Sequence, residues 1–252
     1  REQLDKLTEP MIWMEIQNVR LPSGETVLAL VPELYLPKNY NTEHSNAVMG
    51  GVNVNLLAEA KITNTGDITA KEKVTLKGNN VANIYGLITG KDIRMDAKEN
   101  ILNEGGTIIA QKSADITAGN DIIMKTTTST TSNPAGGSRT TDKIANVQVT
   151  GENANINLKA GRNIELTATE ISAAGSEGEI DIMAGKNINL TTVENYYKEN
   201  LKFKDGYRKE QTAVETGTVI YADGKLNIKA GENLYAKAAE ITADGIDITA
   251  GK

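Results

Sequence analysis

Few residues of this sequence are spaced for chemistry. His44 is the single histidine, and it sits in "YNTEHSNAV" with no serine elbow, cysteine or metal-spaced partner nearby. A solvated loop histidine is the expectation there, not a general base or a triad member. Asp92, Arg94 and Asp96 fall on alternate positions, and Asp121, Asp181 and Asp247 recur in similar surroundings. Such carboxylates on an outer strand face could serve a polysaccharide lyase or hydrolase. Interleaved with Lys, Thr and Asn, they are also what any solvated face needs, and Arg94 with Asp96 reads as a surface ion pair. No Walker loop, HExxH, EF-hand or Gly-Gly-x-Gly-x-Asp calcium repeat occurs. No catalytic residue, cofactor or metal site is assigned, and the chain is expected not to be an enzyme.

The aromatics offer a second possibility. Residues 193–224 hold Tyr196, Tyr197, Phe203, Tyr207 and Tyr221, half of the chain's ten aromatics. "KDGY" is a hairpin turn signal at Asp205 and Gly206, so 194–203 should lie antiparallel to 207–216. Tyr196, Tyr197, Phe203 and Tyr207 are candidates for contacting a partner, because tyrosine gives contact area at low entropic cost. The plainer expectation is that these rings pair across the hairpin and lay one face on the body beneath.

The elements that must position these residues are legible in "INLKAGRNIELTA", residues 156–168. Ile156, Leu158 and Ala160 alternate with polar residues, Gly161 interrupts, and Ile164, Leu166 and Ala168 resume. Period two marks strands with one buried face. The interruption is read as a corner needing a left-handed or strained backbone, which glycine tolerates. The unit recurs at Gly119, Gly161, Gly185, Gly231 and Gly251, separated by 42, 24, 46 and 20 residues, one or two multiples of a period in the low twenties. Gly90 is read as a weaker copy. Asn120, Asn163, Asn187 and Asn233 beside these glycines are expected to turn the corners and bond along the stack.

Units this short cannot bury their inner faces alone, so they must stack. The fold expected is all-β: a right-handed parallel β-helix with an N-terminal hairpin segment and two projecting insertions, in seven or eight coils about 35 Å long. A doubly wound sheet would need helical crossovers, and a sandwich would not return the same corner at a near-fixed period. The division expected is 1–48, a lead-in with strands at 11–20 and 26–35 around a turn at Pro22, Ser23 and Gly24, and 49–252, the β-helix. Pro32 and Pro37 suit an edge strand or strand end. Insertions fall at about 126–143, a polar stretch read as a mobile loop, and at about 193–224.

Composition narrows the function. Net charge is -6 with no basic stripe, which disfavours nucleic acid as a partner. There is no cysteine, and no apolar run reaches the length of a membrane span. The opening "REQLDKLTEP" lacks a signal-peptide pattern and the chain closes on "TAGK", so both ends read as cuts in a longer protein. Open coil ends should promote end-to-end association.

The stretches "KAGRNIELTATEIS", "MAGKNINLTT", "NEGGTIIAQKSADITAGNDI" and "ITNTGDITAKEKVTLKG" resemble the hemagglutinin repeats of filamentous hemagglutinin-type exoproteins, over about residues 50–252. The lead-in "EPMIWMEIQNVRLPSGETVLALVPELYLP" is similar to the segment preceding such repeats in the contact-dependent growth inhibition branch. The resemblance implies a β-helical shaft, secreted to the surface of a bacterium through an outer-membrane two-partner secretion transporter. It also implies a cell-surface receptor, and a role in adhesion or in delivering a C-terminal toxin. It carries over no catalytic residues. The alternative is a polysaccharide-binding or polysaccharide-cleaving β-helix protein.

Overall fold

Every described element of the protein, seen in a computed structural model, is a strand, and alternation of apolar and polar residues marks those of the stack. The structure describes residues 11–20, 26–35, 47–175, 177–203 and 206–251. The expected positions His44, Pro22, Ser23, Gly24, Pro37 and Asp205 lie outside them. The chain divides into two compact units, Arg1–Glu43 and His44–Lys252. In the first, β1 (Met11–Arg20) and β2 (Thr26–Tyr35) form a two-stranded antiparallel sheet in which Met14 faces Pro32.

The second unit is a parallel β-solenoid. Long and short strands alternate: β3 (Val48–Leu57), β4 (Lys61–Asn64), β5 (Asp67–Gly78), β6 (Asn80–Ile84), β7 (Leu87–Ala97), β8 (Ile101–Glu104), β9 (Thr107–Ala118) and β10 (Ile122–Lys125). A hairpin of β11 (Thr128–Asn133) and β12 (Gly136–Thr141) then leaves the stack. Coiling resumes through β13 (Asn146–Val149), β14 (Asn155–Ala160), β15 (Ile164–Thr167), β16 (Glu170–Ala173), β17 (Glu179–Ala184) and β18 (Ile188–Thr191). A second hairpin, β19 (Val193–Phe203) and β20 (Gly206–Thr216), precedes β21 (Val219–Ala230), β22 (Leu234–Ala236) and β23 (Glu240–Ala250).

Two parallel sheets stack these coils. The short one runs β4, β6, β8, β10, β15, β18, β22. The long one has eight layers among the described residues: β3, β5, β7, β9, β13 with β14, β16 with β17, β21 and β23. Seven spacings of about 4.8 Å give a stack of about 34 Å. The core is a set of columns, one side chain per layer. Ile62, Val81, Ile101, Ile122, Ile164 and Ile188 form one, and Val74, Ile93, Ala114, Ile156, Ile180 and Leu226 another, all buried. Burial of such aliphatics at about 25 cal/mol per Å² is the main force holding coil on coil.

Several expectations change here. The spacings of 42 and 46 residues are single coils lengthened by an insertion, not two coils: Ala118 pairs directly with Ala160, and Ala184 with Ala230. Gly90 is not a copy of the Ala-Gly corner, since it pairs with Ala110 at the bend inside a long strand. Gly161 does not have positive φ. Its glycine is required because a Cβ there would overlap the Gly119 carbonyl oxygen one layer away, and Gly185 stands in the same relation to Gly161. Residues 128–141 are paired strands where a loop was expected, as β-branched threonine favours.

Candidate functional site

The hairpins leave the same corner of the coil. β10, β15 and β18 are consecutive in the short sheet, with Lys125, Thr167 and Thr191 in register at their ends, and the insertions follow β10 and β18. Up to β8 this corner is turned by a buried ladder. Asn64 Nδ2 donates to Asn83 Oδ1 at 2.8 Å and Asn83 Nδ2 to Asn103 Oδ1 at 3.0 Å, while each also donates to the carbonyl of Gly66, Gly86 or Gly106. At β10 the ladder stops, because Met124 takes the place of Asn103. Buried threonines then hold the corner: Thr126 Oγ1 accepts from Ala145 N at 3.1 Å and donates to Ala168 O, and Thr218 Oγ1 donates to Leu166 O at 3.0 Å.

The two insertions join. β12 pairs antiparallel with β19, so β11, β12, β19 and β20 make one four-stranded lateral sheet. Its register sets Tyr197 against Ser138 and Thr212, and Tyr196 against Arg139 and Ala213. The base is clamped by Glu215, which accepts from Lys237 Nζ at 2.7 Å and from Thr192 Oγ1. Those two bonds, led by Lys237, hold the Glu215 carboxyl below the usual carboxylate range.

The four aromatic candidates separate. Tyr196 and Tyr207 share one face, where Arg139 and Lys198 lie 5.3 and 5.0 Å from the centre of the Tyr196 ring and Lys209 lies 5.7 Å from that of Tyr207. Tyr197 is on the opposite face, its hydroxyl pushed up chiefly by the charge of Glu199. There Arg208 is ion-paired with Glu199 and Glu210. Phe203 ends β19, and its side chain lies outside the described residues. The rings do not pair across the hairpin as expected: the register partners of Tyr196, Tyr197 and Tyr207 are Ala213, Thr212 and Lys202, and Tyr207 is 75% exposed. Sequence reasoning missed Arg139, Lys198 and Lys209; the excess of cations over residues 198–209 was the available signal.

The acidic candidates are dispersed. Arg94 and a half-buried Asp96 form a surface pair at 3.6 Å, and Asp92 accepts from Ser113 at 2.7 Å. Asp181 and Asp247 belong to an outward column, Arg94, Asp115, Asn157, Asp181, Asn227, Asp247, beside a shallow groove of about 350 Å³. Amides alternate with carboxylates there, and Asn157 and Asn227 donate to Asp115 and Asp181 at 2.8 Å each. Asp121 is a ladder member. Asn163 donates to it at 3.0 Å, then Asn187 to Asn163 at 3.1 Å and Asn233 to Asn187 at 2.9 Å. The ladder thus runs through Asp121 where Asn120 was expected. Burial alone would raise the Asp121 carboxyl, but Arg162 and the Asn163 N–H groups together hold it below its ordinary value. Among the described residues no cluster of three ligand-type side chains could hold a metal, and no helix is long and apolar enough to cross a membrane.

Comparison with known proteins bears on this architecture. Residues 135–252 match the model of the hemagglutinin repeat family. The chain is similar to the tRNA nuclease CdiA-2 of Burkholderia pseudomallei (strain 1026b), 28% identical over 246 residues, 95% of this chain and 8% of the relative. It is also similar to the tRNA nuclease CdiA of Yersinia mollaretii, 30% identical over 190 residues, 69% of this chain and 6% of the relative. The chain therefore spans less than a tenth of the length of the curated relatives it matches. No solved structure matches. Residues 135–252 thus carry the hemagglutinin repeat, and the stacked coils together with these relatives make the chain similar to the hemagglutinin-repeat region of filamentous hemagglutinin-type exoproteins of the contact-dependent growth inhibition branch.

Proposed function

We propose that the chain is a non-enzymatic stretch of the shaft of a large exoprotein, exported to the bacterial surface through an outer-membrane two-partner secretion transporter. The shaft acts in adhesion or in presenting and delivering a C-terminal toxin to neighbouring bacteria. The observation that carries this reading is the alignment of 95% of the chain to 8% of a relative whose printed activity is that of a tRNA nuclease. A stack of repeats that grows by adding coils suits the spacer between a cell and such an activity. The lateral sheet is the shaft's platform for a receptor on a bacterial or host cell, with the strands of Tyr196, Tyr197, Phe203 and Tyr207 as its contact elements.

The test uses the parent gene in its own bacterium. Antibody against residues 47–251 should label intact cells, and co-cultured neighbours should be inhibited only on contact and only while the gene keeps its segment downstream of the repeats. Attachment that survives removal of that segment, without any inhibition beforehand, selects adhesion. Repeats found only inside the cell overturn the reading.

A further inference from the structure

Beyond its base, charge on the lateral sheet is sorted by face; Glu194 and Glu215, on the cationic face by register, lie at the base, where Glu215 is tied to Lys237. Strand alternation and the registers of β12, β19 and β20 put Arg139, Tyr196, Lys198, Lys202, Tyr207 and Lys209 together. Among the described residues none of these four cations has a carboxylate partner, whereas Arg208 on the other face is tied by two. This happens in a chain of net charge -6, so the patch is local and not a product of overall basicity. Both insertions contribute to it: Arg139 comes from the first and the remaining five residues from the second.

We propose that this face binds a carboxylate-bearing polysaccharide. The proposal rests on the reading of the lateral sheet as the shaft's receptor platform and names the chemistry of its ligand. Unpaired cations attract carboxylates, and those already held over the Tyr196 and Tyr207 rings lose little further freedom on binding. The exposed Tyr207 ring offers an apolar plane to the C–H face of a sugar, and Asn200 and Gln211, on the same face, supply amides to its hydroxyls. A lipid surface fits less well, because insertion needs aliphatic side chains and Leu201 lies on the opposite face. A nucleic acid needs a longer basic track than four cations provide.

The test is binding of the whole chain to immobilised polygalacturonate, with dextran, a thymidine oligonucleotide and phosphatidylglycerol vesicles as competitors. Polygalacturonate should be retained, dextran should not compete, and binding should weaken with salt. The double substitution Lys198→Gln with Lys209→Gln should weaken it by about tenfold or more, and Arg208→Gln by less than about twofold. Equal unfolding midpoints for all three proteins exclude misfolding. No retention, equal loss in Arg208→Gln, or stronger competition by the oligonucleotide or vesicles overturns the ligand class. The platform reading is separated by attachment to target cells: loss of attachment in the double variant without polygalacturonate binding discards the ligand and keeps the platform, and unchanged attachment discards both.

Discussion

Asn163 donates to Asp121 across 3.0 Å, although 42 residues separate them in sequence. Between them the chain makes a single turn of the solenoid and a hairpin that leaves it. Stack and excursion are thus separate in their strand pairing, which lets each be perturbed on its own.

Asp121 is the one carboxylate in an otherwise amide ladder, and Arg162 pairs with it. Its folded-state pKa is lowered, so its stabilisation is present above the ordinary carboxylate range and is lost as pH falls through the depressed value. Asp121→Asn keeps an amide oxygen for Asn163. The variant should therefore lose less stability than the parent between neutral and acid pH, read from urea midpoints at each pH. Parallel profiles would show that the ion pair contributes nothing.

The inner ladder should be costlier to break. Asn83 is fully buried, donates to Asn103 and Gly86, and accepts from Asn64. Asn83→Ala leaves a donor of Asn64 and an acceptor of Asn103 without this partner, for a loss of about 2–4 kcal/mol in chemical denaturation. A loss under about 0.5 kcal/mol, the range of ordinary surface changes, would mean that water replaces the amide without cost.

This ladder also marks where sequence reading ended. The apolar columns were legible, because period two and the Ala-Gly corner are local signals. Asn64, Asn83 and Asn103 gave no signal of their own, since nothing in the sequence distinguishes an amide turned inward at a corner from one turned out. Gly161 was recognised for the wrong reason: its constraint is a carbonyl one layer away, invisible without the stacking register. The pairing of Ser138 with Tyr197 escaped because the two insertions are far apart in sequence and carry no hydrophobic pattern to announce a shared sheet.

Glycine should be replaceable where no neighbouring backbone approaches it. At Gly161 an added Cβ overlaps backbone of the next layer, while at Gly206 it meets nothing within 4 Å. Gly161→Ala should cost about 3 kcal/mol or more, because backbone in the stack cannot move aside. Gly206→Ala should stay within about 0.5 kcal/mol. Thermal unfolding of the two variants side by side measures the contrast, and equal shifts would remove the close-approach argument.

The lateral sheet should come apart from one side without harming the stack. Replacing residues 128–141 by two glycines spares Thr127 and Asp142, already hydrogen-bonded at 2.9 Å, and deletes the partner of β19. Amides of β19 that face β12 should exchange faster, while those of Ile164 and Ile188 keep their protection. Global loss of protection would mean that the hairpin supports the coils.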